Sequence, residues 1–372
     1  EVLKGTLVQG KASVNLRKVL GVFQFAISIT LMIATGVVLS QLRYTQTKDL
    51  GYEREHQLIS GIPFRLDNTT YQQYPPYRDA LLASPAIDSV TISSRVPTGQ
   101  LLDGNGYVPS NSTTVQPGDV VPLRDVRVGF GFLEHYRVEL LAGRYFGEEY
   151  GDRLVRRPTE DNPETAGQGI VNESAVRRLG YASPEEAVGQ TLSAGHGDLQ
   201  MEMTIVGVVK DFNFASLHDT MRPVLFTLTD EWVFNVSIRS VPGMLEQARE
   251  HVETTWNEQF PGQNVNLGFL DERFDAMYRQ ERRQALVFGI FAGLAVLVAC
   301  LGLFGLASFT TERRTKEIGV RKVMGASVSD IVLLLTREFS LLVLLANLIA
   351  WPVAWYFMSD WLTRFAYAID LS

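Results

Sequence analysis

Three apolar runs constrain this chain more than any other feature of its sequence. Residues 285–309 contain no charged side chain, residues 19–42 contain none either, and residues 331–358 contain only two. An α-helix rises about 1.5 Å per residue, so about 20 apolar residues cross the roughly 30 Å hydrocarbon core of a bilayer. The sequence therefore predicts an integral membrane protein with spanning helices at residues 19–42, 284–309 and 331–358.

The basic residues predict how these three spans are oriented. Lysine and arginine are concentrated in the lead, residues 1–18, and in the connection at residues 310–330. Segments rich in these residues stay on the cytoplasmic side of a membrane. The lead and the connection are therefore predicted to be cytoplasmic. Residues 43–283 and the last segment, residues 359–372, are then extracytoplasmic.

The long polar stretch between the first two spans predicts a separate mixed α/β domain. Its length is sufficient for a hydrophobic core of its own. Short apolar and β-branched runs predict strands at residues 57–62, 89–93, 120–128, 201–209, 224–228, 234–238 and 265–270.

Helix signals alternate with these strands. Asn172 is a predicted cap for one helix, and Ser183 followed by Pro184 predicts the start of another. A longer amphipathic helix is predicted at residues 242–259, while the segment 97–117, rich in Pro, Gly, Asn and Ser, is predicted to be an exposed loop.

A last helix is predicted to begin near Asp271 and to run through Arg283 into the second span, because no helix-breaking residue interrupts it. Motion of the outer domain would then pass directly to a membrane helix.

The connection between the second and third spans has an amphipathic pattern. Its apolar residues fall close to one face at helical spacing, and the basic residues point largely elsewhere. Two interpretations follow from the residues alone. The connection is either a solvated basic loop attracted to anionic lipid or a docking element whose apolar stripe is buried by a cytosolic partner. The apolar residues are Val320, Val323, Met324 and Ile331.

Local signals bound this element on both sides. Gly319 and Gly325 weaken a continuous helix and predict bends. Ser327, followed three residues later by Asp330, predicts a capping box that opens the third span. A short helical element between two membrane helices is the predicted result.

Residues 312–327, which read ERRTKEIGVRKVMGAS, resemble the signature loop of the FtsX-like permeases. These proteins are the membrane subunits of ABC systems of the macrolide-exporter and lipoprotein-release type. In that family the loop is the coupling helix that touches the ATPase. The resemblance therefore implies a coupling role for Glu317, Gly319, Val320, Arg321, Val323, Met324 and Gly325.

The outer domain resembles the MacB-like periplasmic core domain of the same permeases. The matching pieces are GRYF at residues 143–146, VNESAVRRLG at 171–180, AVGQT at 187–191 and IVGVVKDFNF at 205–214. The resemblance is weak between residues 63 and 126. The family pattern has a fourth span, which should begin where this sequence stops, and this departure implies truncation. The lead-in DLGY at residues 49–52 looks like the start of the second half of larger, duplicated members, so the resemblance implies a C-terminal fragment of such a member.

Other functional classes find little support in the sequence. The net charge of −7 argues against nucleic-acid binding, and the single cysteine, Cys300, leaves neither a disulfide framework nor a thiolate metal site. The five histidines are scattered without metal-ligand spacing, and no nucleophile-elbow motif is present. The expectation is therefore a protein without a cofactor and without catalytic residues of its own.

Two hypotheses about function remain. The first is a permease subunit in the bacterial inner membrane that couples ATP hydrolysis by a separate cytosolic ATPase to motion of the outer domain, for export or mechanotransmission. Its expected partners are that ATPase, a second permease half, membrane lipids and a periplasmic protein. The second is a membrane-anchored sensory or regulatory protein.

Gly289 and Gly293 are at a spacing that lets membrane helices approach closely, within or between subunits.

Overall fold

The computed structural model describes residues 2–62, 70–112, 114, 116, 119–156, 158–159, 164–196 and 199–371. The chain divides into two compact units. A helical unit comprises Glu1–Lys48 and Tyr278–Ser372, and an α/β unit comprises Asp49–Met277.

Ten α-helices are formed by the described residues. Their bounds are α1 Val2–Thr47, α2 Thr70–Leu82, α3 Phe132–His135, α4 Glu173–Leu179, α5 Pro184–Ala187, α6 Leu245–Gln259, α7 Leu270–Met277, α8 Arg279–Arg313, α9 Thr315–Val323 and α10 Val328–Leu362.

Eleven strands are formed in the same described part of the chain. Their bounds are β1 Gln57–Gly61, β2 Ile87–Ser93, β3 Gly104–Pro109, β4 Val121–Val128, β5 Leu140–Gly143, β6 Glu164–Asn172, β7 Thr191–His196, β8 Leu199–Val209, β9 Val224–Leu228, β10 Asn235–Ser240 and β11 Leu267–Phe269.

In the helical unit, each apolar run of the sequence lies in a long helix. Segments long and apolar enough to cross a membrane are found at Val19–Thr47 in α1, Arg279–Glu312 in α8 and Phe339–Leu362 in α10. Helix α1 packs against both α8 and α10. The fold therefore combines apolar membrane-type helices with an α/β unit, as the sequence predicts.

Small side chains mediate the packing of α1. Ala26 is buried against Ala346 and Ala350 of α10. On the α8 side, a Cβ added to Gly289 would lie 3.9 Å from Cγ2 of Thr35, which places this glycine against α1. Small residues allow such close approach of helices. A Cβ added to Gly293 would meet no described atom within 4 Å, so its packing role stays a prediction.

The segment after α10 is held to α1 by one buried amide. The side chain of Gln41 donates from Nε2 to the carbonyl oxygen of Tyr367 at 2.9 Å, and its Oε1 accepts from the N–H of Ile369, also at 2.9 Å. The ammonium of Lys48 lies 4.4 Å from the centre of the Tyr367 ring. This segment therefore has a defined position within the helical unit.

The α/β unit contains one continuous sheet with two parts. A four-stranded antiparallel sheet has the order β11-β1-β10-β2. The other part is a closed ring in the order β4-β3-β7-β8-β6-β9, in which β9 pairs back onto β4. Strand β5 extends the ring by pairing with the end of β8. The two parts meet where Ser93 of β2 pairs with Val128 of β4.

Each part of the sheet has its own core. Helices α2 and α6 cover the four-stranded sheet, where the rings of Tyr77, Trp256 and Phe260 pack edge to face with centroids 5.1 to 6.0 Å apart. Such aromatic pairs contribute about 0.5–1.5 kcal/mol beyond their buried area. The ring encloses a second cluster that includes Leu123, Val171, Leu192, Met203, Ile205 and Leu225.

The glycine-rich segment 97–117 is not simply an exposed loop, and that prediction is wrong. It contains β3, which pairs with both β4 and β7, and Tyr107 of this strand is buried. Glycine, asparagine and proline have low strand propensity, so pairing with neighbouring strands, not local preference, determines this structure.

The prediction of a continuous helix from Asp271 through Arg283 is also wrong. Helix α7 ends at Met277 and α8 begins at Arg279, with Tyr278 between them at φ −108° and ψ 20°, outside the helical region. No glycine or proline marks this position. The break therefore leaves no local sequence signal.

We expect residues 49–277 to fold alone, and residues 51–271 to fold less stably. The shorter segment lacks Phe274, which is 2% exposed. The guanidinium of Arg54 lies 4.4 Å from the centre of the Phe274 ring. Loss of one buried side chain of this size costs about 1.5–3 kcal/mol. Urea unfolding of both segments in detergent-free buffer measures the difference. Equal stabilities would show that α7 is not part of the folded unit.

Candidate functional site

Helix α9 is a short element between two long apolar helices. Arg314, at φ −100° and ψ 12°, separates it from α8 and opens its first turn, where the N–H of Ile318 donates to the carbonyl oxygen of Arg314 at 2.9 Å. Met324 follows its last residue, and its N–H donates to the carbonyl oxygen of Val320 at 3.0 Å.

The turn after α9 has the geometry that its sequence predicts. Gly325 has a φ of +93°, a conformation that side-chain-bearing residues rarely adopt. Ser327 then caps α10. The N–H of Asp330 donates to Oγ of Ser327 at 3.2 Å, and the N–H of Ser327 donates to Oδ2 of Asp330 at 3.1 Å. The predicted capping box is confirmed, and its hydrogen bonds lower the pKa of Asp330.

An apolar edge formed by Val320, Val323 and Met324 is exposed on this element. Their exposed fractions are 60%, 90% and 82%. A large apolar side chain gains free energy when it is removed from water, so three exposed neighbours favour a partner surface. Beside the edge, the guanidinium of Arg321 lies 2.9 Å from the carboxylate of Glu317.

All seven residues of the predicted coupling site lie on this one element. Five belong to α9, and the other two, Met324 and Gly325, form the turn that follows. Gly319 has open space where a Cβ would be. Contact between these seven residues and an ATPase stays a prediction.

A second group of motif residues comes together in the α/β unit around Asn172. Its Oδ1 accepts from the N–H groups of Ala175 at 3.0 Å and Val224 at 2.8 Å. Its Nδ2 donates to Oδ1 of Asp211 at 2.7 Å and to the carbonyl oxygen of Arg222 at 2.9 Å. One buried amide thus joins α4, β9 and the segment after β8.

The carboxylate of Asp211 completes this network. It accepts hydrogen bonds from the N–H and the hydroxyl of Ser174 at 2.9 and 2.7 Å, and from the guanidinium of Arg177 at 2.8 Å. In return, the N–H of Asp211 donates to Oε2 of Glu173 at 2.9 Å. Residues 171–180 and 205–214 were singled out separately in the sequence, and the fold brings them together.

Metal ligation finds no support among the described residues. Among them, no group of three or more histidine, cysteine, aspartate or glutamate side chains could hold a metal ion. The buried His135 is held between Oγ of Ser89 at 2.9 Å and Oε1 of Gln57 at 2.7 Å. Burial lowers the pKa of His135 to about 3, so this imidazole is a neutral structural group at physiological pH.

Asp230 makes the stability of the α/β unit depend on pH. Burial raises the pKa of this carboxyl to about 6, although Arg156, with Nη1 3.3 Å from its Oδ1, acts in the opposite direction. The folded chain therefore binds this proton more tightly than the unfolded chain. The resulting stability is complete below about pH 3.9 and is lost as the pH rises through the folded pKa.

We expect Asp230→Asn to be more stable than the wild-type chain above about pH 7, by on the order of 1–3 kcal/mol, and to lose this advantage near pH 4. Thermal unfolding at several pH values measures the effect. Glu231→Gln, at the neighbouring and more exposed position, is the control. If the difference in stability between Asp230→Asn and the wild-type chain does not change with pH, the pH dependence does not come from Asp230.

Residues 289–372 match the FtsX-like permease C-terminal family. The macrolide export ATP-binding/permease protein MacB of Bartonella quintana is 22% identical over 88% of this chain and 52% of that protein. The protein of the same name from Chromobacterium violaceum is 23% identical over 62% of this chain and 36% of its own length. The pyoverdine export ATP-binding/permease protein PvdT of Pseudomonas syringae pv. syringae is 26% identical over 52% and 29%.

Solved structures are also similar to this chain. The periplasmic region of MacB from Actinobacillus actinomycetemcomitans aligns with 62% of this chain and 95% of that one, at 12% identity and a TM-score of 0.37. The chain spans between 27% and 52% of the length of the curated relatives it matches.

Proposed function

Because this chain belongs to the FtsX-like permeases and is a permease of the FtsX/MacB type, we propose that it couples ATP hydrolysis by a cytosolic ATPase to motion of its α/β unit. The ATPase is a separate protein in this proposal. The observation that carries it is the apolar edge of Val320, Val323 and Met324, exposed between two helices that are apolar enough to span a membrane.

Docking at this edge would depend on the apolar area that the partner buries and on the charges around it. Burying one such apolar side chain contributes about 1.5–3 kcal/mol, so the edge supplies most of the affinity. Charges at the rim of an interface govern orientation and encounter rate more than affinity. Arg314, Arg321 and Lys322 have this role in the proposed complex.

The proposed setting is the bacterial inner membrane. In it α9 faces the cytoplasm, where ATP is available, and the α/β unit lies outside. The basic residues around α9 support this orientation. A second permease half completes the transporter in this proposal.

Cysteine labelling tests this orientation. In a Cys300→Ser background, a cysteine at Glu258 of α6 is expected to react with a membrane-impermeant reagent in cells whose outer membrane is permeabilised. A cysteine at Ser329, close to α9, is expected to react only after the inner membrane is also opened. Both native side chains are exposed, so accessibility within the fold does not bias the comparison. Equal labelling of the two sites in cells whose outer membrane is permeabilised and whose inner membrane is intact would contradict the orientation.

The function itself is tested by purifying the full chain from its native membranes and identifying what accompanies it. A nucleotide-binding ATPase is the expected partner, and its hydrolysis rate in reconstituted vesicles should change when this chain is present. A chain that purifies without any nucleotide-binding protein, and that responds instead to a ligand of its α/β unit, would favour the sensory or regulatory alternative.

A further inference from the structure

The helical unit carries an excess of basic residues at one end of its long helices, where α1 and α10 finish and α8 begins. Residues 40–48, 278–286 and 359–371 contain six basic and three acidic side chains. In the proposed orientation this end lies outside the cytoplasm. The positive-inside rule concerns basic residues on the cytoplasmic side of a membrane, so it does not account for these.

Helices α1 and α8 pack in a register that brings part of this charge to one level. A Cβ added to Gly302 would lie 3.5 Å from Oε1 of Gln24, and one added to Gly289 would lie 3.9 Å from Cγ2 of Thr35. The contact residue on α1 thus moves toward the end of α1 as the one on α8 moves toward its start. The two helices are antiparallel, and the same register places the last turns of α1 level with the first turns of α8.

Four basic side chains near this level form what we call the basic girdle, namely Arg43 and Lys48 of the α1 end and Arg279 and Arg283 of α8. The three arginines are exposed. Within the described part of the chain, none of their guanidinium groups has an ion-pair or hydrogen-bond partner. Arg43 directly follows the first apolar run of the sequence, and Arg283 is two residues before the second. Charged groups at the end of an apolar span lie at the level of the lipid headgroups.

Lys48 has the most defined position in the girdle. Its ammonium donates to Oη of Tyr44 at 3.4 Å and lies 4.4 Å from the centre of the Tyr367 ring. An ammonium has three donors, so two remain after the bond to Tyr44, and no carboxylate among the described residues forms an ion pair with Lys48. Tyrosine is enriched where a membrane span meets the headgroup layer. The site therefore presents an oriented cation where a lipid phosphate would lie.

From this arrangement we propose that the basic girdle binds the phosphate groups of anionic phospholipids. The guanidinium and ammonium groups of the girdle donate to the phosphate oxygens, which form strong charge-assisted hydrogen bonds. A zwitterionic lipid carries its own cation beside the phosphate and binds more weakly. This binding requires that α1 and α8 span a membrane, as in the proposed function, but it requires no ATPase. ATPase coupling can therefore fail while lipid binding holds.

Spin-labelled lipids test this binding with the full chain reconstituted in phosphatidylcholine vesicles. Electron paramagnetic resonance measures the fraction of labelled lipid that the protein surface immobilises. We expect an association constant at least about threefold larger for labelled phosphatidylglycerol than for labelled phosphatidylcholine with the same acyl chains. This preference should shrink in about 1 M salt, where charges are screened beyond about 3 Å. Equal association of the two lipids would overturn the proposal.

Matched double variants locate the preference. Arg279→Gln combined with Arg283→Gln should lower the preference for phosphatidylglycerol at least about twofold. The control is Arg153→Gln combined with Arg178→Gln, which removes two exposed arginines of the α/β unit that also have no ion-pair partner in the described part of the chain. The control should leave the preference unchanged. Equal losses in both double variants would show a general effect of net charge and overturn the proposal.

Two further variants separate charge from structure. Arg279→Lys combined with Arg283→Lys keeps both charges and should keep the preference, so a loss as large as that of the glutamine variant would overturn the proposal. Adding Lys48→Gln to the glutamine variant should lower the preference further. If the girdle binds an acidic protein instead, the lipid preference would be the same in the wild-type chain and in every girdle variant, which would also overturn the proposal.

Discussion

Replacing Met324 by aspartate is expected to weaken the complex between this chain and its ATPase by about one to two orders of magnitude or more. The side chain is 82% exposed in the free chain and contributes about 1.5–3 kcal/mol if the partner buries it. Each 1.4 kcal/mol is about a tenfold change in Kd, and a buried carboxylate would add its own desolvation cost. Binding and ATP hydrolysis are both measured in reconstituted vesicles.

Two controls separate this contact from a general effect of charge. Val328→Asp introduces the same group at another exposed apolar position, in the first turn of α10 and outside the apolar edge, and should have little effect. Arg321→Ala should cost less than Met324→Asp, and more of its effect should disappear at high salt, because rim charges are screened. If Met324→Asp changes neither binding nor hydrolysis in a correctly inserted chain, α9 is only a connector.

Asn172→Ala is expected to lower the free energy of unfolding of the α/β unit by about 2–4 kcal/mol. Alanine would leave the N–H groups of Ala175 and Val224, the carbonyl of Arg222 and an oxygen of Asp211 without their present partner. Asn172 is itself buried, so water cannot fully replace these hydrogen bonds. Urea unfolding of residues 49–277, or of the full chain in detergent, measures the loss.

Ser183→Ala is the matched control, because Ser183 also caps a helix but receives one hydrogen bond, from the N–H of Glu186 at 3.3 Å. Loss of a simple cap costs about 1 kcal/mol. A cost for Asn172→Ala that is no larger than for Ser183→Ala would show that the wider network adds nothing to stability.

Features with a local cause were predictable from the sequence. The run VLFTL at residues 224–228 is a strand with those bounds, since it is short and rich in β-branched and aromatic residues. Asn172, Ser183 and Ser327 cap helices because a short polar side chain can reach the free N–H groups of a first turn. The exposed position of α9 follows from the same kind of local pattern.

Features that depend on distant residues were not predictable. Closure of the ring requires Arg124 to pair with Val224, and no short sequence window contains both. Helix α2 forms despite Pro75 and Pro76 in its interior, because Tyr77 and Leu81 are buried beneath it. The network around Asn172 has the same origin, since it joins α4, β9 and the segment after β8, which are far apart in the chain.

The junction between the two parts of the sheet has a mechanical consequence. One Cα pair, Ser93 with Val128, joins β2 to β4, and the neighbouring backbone bonds from Ser94 to Arg127 and from Gly129 to Ile92 are both 2.8 Å long. Each part keeps a separate core on its own side of this seam. A pulling force applied to the four-stranded sheet would therefore reach the ring through this seam and through α3, where Phe132 contacts the ring of Phe226 in β9 and the neighbouring Tyr136 bonds Ser237 of β10.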